Sequence, residues 1–170
     1  MEYLAAELQP HLAQPKENIV LFPHRLAPEK QPEIFEDLAG SFFSWQFVAC
    51  QETALSKWDY HDLLARSRVV FSCSLQETLG IGCYEGVLAG AVPMVPDRLS
   101  YREMYPEEFR YPAEWTASWE AYQRHKPALV AHLSAVLDRV VSGGYNLTAC
   151  EQQLSRFFSG SDLYDRVLAA

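Results

Sequence analysis

The chain has 170 residues, of which 49% are hydrophobic and 13% aromatic, and its formal net charge is −8. That length and composition fit one globular domain with a sizeable core and exclude a disordered chain. The acidic balance argues against a nucleic-acid surface, because phosphate backbones are bound mainly by clustered Lys and Arg.

Four short apolar runs have the length and residue types of buried β-strands. In chain order they occupy residues 18–25, 45–50, 68–74 and 91–97. The last of them, AVPMVPD, is apolar throughout, which is typical of a strand that is buried on both faces.

Helical patterns separate and follow these runs. They lie at residues 28–43, at 57–67 with Asp59 as a candidate N-cap, and in a stretch that begins near Thr78 or Leu79. Three more helices are expected at about residues 100–109, 117–142 and 147–168. We divide the chain into a leading helix or linker at residues 1–17 and one domain at residues 18–170.

Strands that alternate with helices predict an α/β domain with a Rossmann-like parallel sheet, flanked by helices and followed by a helical tail. Such sheets bind ligands outside the carboxyl ends of their strands. The predicted strand ends carry His24 and Arg25, Cys50, the segment 74–78, and Asp97. We therefore expect the functional site among these residues.

One of these segments, QETLGIGCYEGVLAG at residues 76–90, combines two glutamates with four glycines. Glu77 and Glu85 have seven residues between them, which corresponds to about 12 Å along a helix. That separation exceeds the roughly 5–9.5 Å of a glycosidase carboxylate pair. It suits two acceptors that bind hydroxyls at opposite ends of one long ligand, and a nucleoside diphosphate sugar has that form.

The diphosphate in the middle of such a ligand needs donors and cations. A helix that begins in this segment directs free backbone amides and its positive end toward the strand ends. Gly80 and Gly82 are expected to leave room for a phosphate to approach the backbone. Arg25 and Lys30 follow the first strand at the same edge of the sheet, and both side chains suit phosphate.

The stretches LFPHRLAPEK and SCSLQETLGIGCYEGVLAGAVPMVPD resemble the C-terminal, donor-binding domain of GT-B glycosyltransferases, and the resemblance covers about residues 18–110. The nearest types are retaining enzymes of the glycogen synthase and sucrose/mannosyl transferase kind. Their pattern is an Arg and a Lys five residues apart, a Glu-x7-Glu motif and a Gly-x-Pro-like turn into a strand. Arg25 and Lys30 match the first element, Glu77 and Glu85 the second, and AGAVPMVPD the third. PHRLAPEK and YREMYPEEFRY also have a less specific similarity to the queuosine-tRNA mannosyltransferase branch.

The resemblance implies a role for each matched residue in a retaining hexosyltransferase. Glu77 would bind the hydroxyls of the donor sugar, and Glu85 would bind the ribose diol. Arg25 and Lys30 would neutralise the diphosphate without a metal, and we count these two with Glu77 as catalytic. The start of the helix at residues 78–80 (Thr78, Leu79 and Gly80) would add backbone amides. No cofactor is expected apart from the donor substrate.

The chain departs from the family pattern in two places. Full enzymes carry an N-terminal acceptor domain of similar size, and residues 1–17 are too short to form one. We therefore expect one half of a GT-B enzyme, either an excised domain or a half-enzyme, that needs an acceptor domain in cis or in trans. The segment 50–57 is also short, since a helix and a strand usually lie between WQFVAC and the next helix. That leaves the nucleotide-base pocket in question.

Two other functions stay open. Gly80-x-Gly82-x3-Gly86 after a strand, with Asp97 at the end of the next strand, resembles an NAD(P)-binding fingerprint. That alternative requires a tighter turn before the first glycine, and it leaves four residues unexplained: Arg25, Lys30, Glu77 and Glu85. A non-catalytic module that binds nucleotide sugars or another protein is the third candidate.

Composition also bears on location. The four cysteines form no Cys-x-x-Cys pair or metal-ligand spacing, and most lie in apolar segments, which is typical of buried free thiols in a reducing compartment. No apolar run reaches the length of a membrane span, and residues 1–18 lack the features of a secretory signal. We therefore predict a cytoplasmic protein without a membrane span. The aromatic cluster of Tyr101, Tyr105, Tyr111 and Trp115 is expected to pack the tail helices rather than stack on a base.

Overall fold

In the computed structural model of this chain, which describes residues 2–160, all four predicted strands are present in one parallel sheet. A fifth strand of two residues, at the edge of the sheet, was not predicted because it has no periodicity to recognise. The order across the sheet is β2-β1-β3-β4-β5, and every neighbouring pair is parallel. The strands are β1 (Glu17–Phe22), β2 (Gln46–Ala49), β3 (Ser67–Phe71), β4 (Val92–Pro96) and β5 (Arg110–Tyr111).

Seven α-helices connect and cover these strands within residues 2–160. They are α1 (Glu2–Leu8), α2 (Pro32–Ala39), α3 (Lys57–Arg66), α4 (Ile81–Leu88), α5 (Leu99–Met104), α6 (Trp119–Val141) and α7 (Thr148–Phe158). The fold is therefore α/β and Rossmann-like with helical elements at its C-terminal end, as predicted. None of these helices is both long and apolar enough to cross a lipid bilayer.

The structure corrects four details of the helix predictions. The predicted helix at 28–43 is shorter, because Pro28–Lys30 form a 3-10 turn and α2 spans only Pro32–Ala39. Ser56, not Asp59, caps α3: its side chain accepts the Asp59 amide at 3.1 Å. Helix α4 begins at Ile81, two to three residues later than predicted, because the left-handed Gly80 (φ 62°) stands at its N-cap. The predicted helix at 100–109 divides into α5 and a 3-10 turn at Glu107–Phe109. The end of the predicted last helix, at residues 161–168, lies outside the described residues.

The alternation of side chains along β1 and β3 divides the core between the two faces of the sheet. One face buries Val20 and Phe22 of β1 beside α2 and α6. The other buries Ile19 and Leu21 beside α1 and α3, where Leu8 of α1 is 1% exposed. The leading segment is thus a packed helix, and the covered faces explain why β4 is apolar throughout.

The predicted aromatic cluster packs inside the domain. Tyr101, Tyr105 and Tyr111 are almost fully buried, and the Tyr111 ring is stacked on Trp115 at 6.4 Å between centroids. The Tyr111 hydroxyl donates to the Ser72 carbonyl at 2.8 Å, which ties β5 to the end of β3. These rings therefore join the sheet to the helices that follow it. The prediction that they pack rather than stack on a base is confirmed.

Candidate functional site

The strand order creates a cleft at the carboxyl edge of the sheet. After β1 the chain turns to β2 on one side, and after β3 it turns to β4 on the other. The loops after β1 and β3 therefore run in opposite directions, and a crevice forms between them. Open α/β sheets bind their ligands at such a crevice. In this chain the crevice lies between the ends of β1 and β3.

Two adjoining cavities open at this crevice. The first has a volume of about 740 Å³ and the second about 630 Å³, both within the range of small-molecule sites. Pro23, His24 and Gly82 line both cavities and form the wall between them. The first is lined by Pro23, His24, Arg25, Glu29, Lys30, Leu75, Gln76, Glu77, Thr78, Leu79, Gly80, Ile81, Gly82 and Leu99. The second is lined by Pro23, His24, Cys50, Gln51, Thr53, Ala54, Leu55, Tyr60, Gly82 and Glu85.

An ion pair between Lys30 and Glu77 lies in the wall of the first cavity. The Lys30 ammonium donates to Glu77 Oε2 at 2.9 Å and to the Gln76 carbonyl at 2.6 Å. Both side chains are largely buried, at 11% and 15% exposure. Lys30 is placed by the 3-10 turn Pro28–Lys30 that follows β1. Two residues that are 47 positions apart in sequence are therefore joined at the cleft.

The other oxygen of the Glu77 carboxylate is held by the backbone. Oε1 accepts the amides of Thr78 and Gly80, each at 3.0 Å. Burial raises the pKa of Glu77, but the hydrogen bonds from Lys30 and Gly80 outweigh it, so the pKa lies below its ordinary value. Glu77 is consequently an ionised, fixed acceptor. The Gly80 amide, which was predicted to face a phosphate, here faces Glu77.

His24 lies buried behind this ion pair. Its Nδ1 is 3.9 Å from Glu77 Oε2, and its Nε2 is 3.9 Å from the Cys83 sulfur. Burial lowers the pKa of His24 to about 4, and nearby Lys30 adds to the effect while Glu77 opposes it. The imidazole is therefore neutral at neutral pH. Its burial limits its contact with the two cavities to part of the wall between them.

Arg25 occupies the exposed side of the same cavity. Its side chain is 66% exposed and forms an ion pair with Glu29, one helical turn along the chain. The backbone carbonyl of Glu29 in turn accepts the Leu75 amide at 2.8 Å, which joins the loops after β1 and β3. Arg25 is therefore held by an exposed ion pair, whereas Lys30 is largely buried and bonded to both Gln76 and Glu77.

Glu85 lines the second cavity and is the fifth residue of α4. Its Oε2 accepts the hydroxyl of Tyr60 on α3 at 2.7 Å. Burial raises the pKa of Glu85, and the Tyr60 hydrogen bond opposes the effect only in part. Tyr60 was not singled out from the sequence, because nothing in α3 indicates that it faces a residue 25 positions away.

The glycines of the segment 76–90 allow either close packing against neighbouring residues or a left-handed backbone conformation. A Cβ at Gly82 would lie 2.6 Å from the Pro23 carbonyl, and one at Gly86 would lie 2.4 Å from Val70. The room predicted beside Gly82 for a phosphate is thus occupied by Pro23, which brings α4 close to the loop after β1. Gly80 and Gly90 have left-handed conformations at the two ends of α4. Gly86 thus serves the packing of α4 on β3, and Gly90 stands just beyond the C-terminal end of α4.

All seven predicted site residues are near this cleft: Arg25, Lys30, Glu77, Thr78, Leu79 and Gly80 line the first cavity, and Glu85 lines the second. No protein-family model matches the chain. Among residues 2–160, no group of three or more His, Cys, Asp or Glu side chains is arranged to hold a metal ion. Fixed acceptors, two cations and two connected cavities therefore define the chemistry of the site.

Proposed function

We propose that this chain is the donor-binding domain of a retaining glycosyltransferase, which binds a nucleoside diphosphate sugar and transfers its hexose to an acceptor. The observation that carries the proposal is the pair of adjoining cavities, with Glu77 in one and Glu85 in the other. Two separate acceptors match a ligand that has a sugar at one end and a ribose at the other. The resemblance to GT-B donor domains supplies the reaction and its retention of configuration.

Each residue has a role in this proposal. Glu77 accepts hydroxyls of the donor sugar, and Glu85 accepts those of the ribose. Lys30 donates two of its three N–H bonds to the protein and keeps one for a phosphate oxygen. Arg25 swings from Glu29 to the diphosphate, and Leu79, just before α4, lines the same cavity, whereas the amides of Thr78 and Gly80 on either side of it are taken by Glu77. Charge on the leaving diphosphate is thereby neutralised by the protein, so the proposal requires no metal.

The first cavity also has an apolar rim, which supports a second half that closes over it. Leu75, Leu79, Ile81 and Leu99 line the cavity and are 37–50% exposed. Exposed apolar side chains around a ligand site are typical of surfaces that another protein unit covers. The proposal therefore includes an acceptor domain, in cis or in trans, as the partner that completes the enzyme.

The base end of the donor belongs in the second cavity. Between β2 and α3 the chain forms only a turn at residues 50–56, without the helix and strand of the family pattern. This turn nevertheless supplies Cys50, Gln51, Thr53 and Leu55 to the cavity that holds Glu85. The shortened segment is therefore compatible with a nucleotide site.

The NAD(P) alternative has less support. Asp97, which would bind the adenosine ribose, lines neither of the two cavities and is held by Arg102 and Arg110. Strand β3 ends at Phe71 and α4 begins at Ile81, which leaves nine residues, 72–80, where the fingerprint has a tight turn. The third alternative, a non-catalytic module, is distinguished from an enzyme by assaying transfer with a candidate acceptor domain present and absent.

Four buried free thiols, at Cys50, Cys73, Cys83 and Cys150, fit a reducing compartment. Desolvation by burial raises the pKa of Cys50 and of Cys83 to about 12, so these thiols stay protonated and unreactive. We include a cytoplasmic location in the proposal for this reason.

Calorimetry with UDP-, GDP- and ADP-sugars tests the proposal. One base should be preferred, with weak binding by this domain alone because the facing half of the cleft is absent from the titration. Lys30→Met should abolish binding, whereas Arg124→Met, an equal change of charge on the exposed face of α6, should not. Absence of binding by all three donors at about millimolar concentration, together with saturable NAD binding, would overturn the proposal.

A further inference from the structure

A third cavity lies at the opposite edge of the sheet, where the strands begin. Lys16 precedes β1, Arg68 is the second residue of β3, and Val92 is the first of β4. The volume is about 170 Å³, which corresponds to roughly five water molecules. The lining residues are Lys16, Arg68, Gly90, Val92, Val140, Gly143, Tyr145 and Leu147. Two of them are cations and none is an acid, in a chain whose net charge is −8.

The donors of Arg68 are largely unused. A guanidinium has five N–H donors. Among residues 2–160, Arg68 makes one long hydrogen bond, from Nη2 to the Lys16 carbonyl at 3.4 Å. Its Nε is buried and has no hydrogen-bond partner. Buried donors without a partner are uncommon in folded proteins and call for a bound water or ion.

Lys16 adds a second, fixed cation. Its ammonium donates to the Ser67 carbonyl at 2.9 Å and to the Ala89 carbonyl at 2.7 Å, which leaves one of its three donors. Burial and, to a smaller extent, the nearby Arg68 charge together lower the pKa of Lys16 to about 8. Lys16 is therefore still mostly protonated at neutral pH. A bound anion would relieve the repulsion between the two cations.

Arg139, which already has hydrogen-bond and ion-pair partners, holds the loop after α6 beside this cavity. Arg139 donates from Nε to the Gly144 carbonyl at 2.8 Å, pairs with Glu108 at 3.1 Å and lies 3.9 Å from the centre of the Tyr145 ring. The loop after α6 is thus fixed against the cavity. Arg68 and Lys16 are the charged side chains among the residues that line the cavity.

We propose that this cavity, formed at the amino ends of β1, β3 and β4, is a binding site for a small oxyanion of the phosphate type, held by Arg68 and Lys16. A planar guanidinium and an ammonium are the side chains that bind such oxygens, one as a fork and the other as a point charge. The site is separate from the cleft at the carboxyl edge, because no residue lines both. It therefore stands whether or not the proposed donor site is correct.

Titration of the whole chain with inorganic phosphate at constant ionic strength tests the proposal. The readout is the ¹⁵N–¹H signal of the Arg68 Nε, which reports on that group directly. The signal should shift to saturation with a Kd of about 1 mM or tighter. Phenyl phosphate in a second titration separates two sources of the anion: tighter binding than phosphate indicates the end of a larger ligand, and weaker binding indicates a free ion.

Lys16→Met keeps the Arg68 signal and should weaken phosphate binding at least about tenfold, whereas the matched control Arg124→Met should leave it unchanged. Lys30→Met should also leave the affinity read at Arg68 unchanged, since Lys30 lies in the cleft at the other edge. If Lys16→Met does not fold, the Arg68 signal of the unmodified chain still decides. An Arg68 signal that does not saturate, or equal affinities of Lys16→Met and Arg124→Met, would overturn the proposal.

Discussion

Lys30 and Glu77 are joined by a hydrogen-bonded ion pair, with 2.9 Å between Nζ and Oε2, at the point where the loops after β1 and β3 meet. The pair is largely buried, so neither charge is fully hydrated and each depends on the other. It holds a carboxylate and an ammonium side by side at the wall of the first cavity. A ligand with both hydroxyls and phosphates can use that combination.

Lys30→Met should reverse the pKa shift of Glu77. Burial, the largest effect, raises that pKa; without the lysine its hydrogen bond and charge are lost and the Gly80 amide remains as the opposing hydrogen bond, so the pKa should move above its ordinary value of about 4.3. A carboxyl-detected NMR titration of Glu77 measures it, with Arg124→Met as the control of equal charge. An unchanged pKa of Glu77 in Lys30→Met would contradict the conclusion that the ion pair with Lys30 lowers it.

The same substitution should change how stability depends on pH. In the unmodified chain the lowered pKa of Glu77 means that its contribution to stability is present above the unfolded-state pKa and is lost as pH falls through the folded-state value. In Lys30→Met the raised pKa gives the opposite sign: stability should fall as pH rises from the unfolded-state pKa through the folded-state one. Urea unfolding across about pH 3–7 compares the two slopes.

Tyr60→Phe should weaken the binding of a nucleoside diphosphate through Glu85. Loss of the 2.7 Å hydrogen bond removes the group that opposes the effect of burial, so the raised pKa of Glu85 should rise further. A protonated carboxyl is a poorer acceptor for the ribose hydroxyls. The affinity for the nucleoside diphosphate should therefore fall about 5- to 10-fold.

The ratio of unmodified to Tyr60→Phe affinities should shrink as pH rises above the pKa of Glu85, which calorimetry at several pH values measures. Tyr3→Phe, at an exposed tyrosine of α1, is the matched control. If Tyr60→Phe and Tyr3→Phe weaken nucleotide binding by the same factor, Tyr60 does not position Glu85.

Gly86→Ala should destabilise the fold by about 1–3 kcal/mol, because the added methyl group meets Val70 of β3 at 2.4 Å and α4 must move away from the sheet. Gly40→Ala is the control: Gly40 has a right-handed φ of −62°, and its nearest neighbour is the Asp37 carbonyl at 3.5 Å. That change should be neutral or stabilising by about 0.4–1 kcal/mol. Urea unfolding measures both, and equal stabilities would argue against close packing at Gly86.

The fold followed from local patterns, whereas the pairings of the site did not. The four longer strands could be predicted because their apolar runs are bounded by Pro and polar residues, and β5 could not, because Arg110 and Tyr111 are a strand only beside Val95 and Pro96. The proximity of Arg25, Lys30 and Glu77 to one edge followed from the parallel topology.

The contacts among these residues required the structure. Nothing local predicts that Gly80 donates its amide to Glu77, or that Pro23 occupies the space beside Gly82. Tyr60 reaches Glu85 only because α3 and α4 lie side by side on one face of the sheet. Partners of this kind depend on tertiary packing and leave no periodic signal in the sequence.

The final prediction concerns the two glutamates, whose substitution by glutamine should affect different ligands. Glu85→Gln should weaken the free nucleoside diphosphate and the full donor alike, because both contain ribose, whereas Glu77→Gln should weaken only the sugar-bearing ligand.

Loss of a charged hydrogen bond of this kind is worth about 1.5–3 kcal/mol, or roughly 10- to 150-fold in affinity. Titration of both ligands into both variants measures the difference. Equal weakening of the free nucleoside diphosphate by the two variants would refute the placement of one donor across both cavities.

Stability should separate the variants as well: Glu77→Gln should lower the melting temperature, since Glu77 is ionised and bound by Lys30 and Gly80. Glu85→Gln should lower it less, because burial raises the pKa of Glu85 and its charged form stabilises the fold less than that of Glu77.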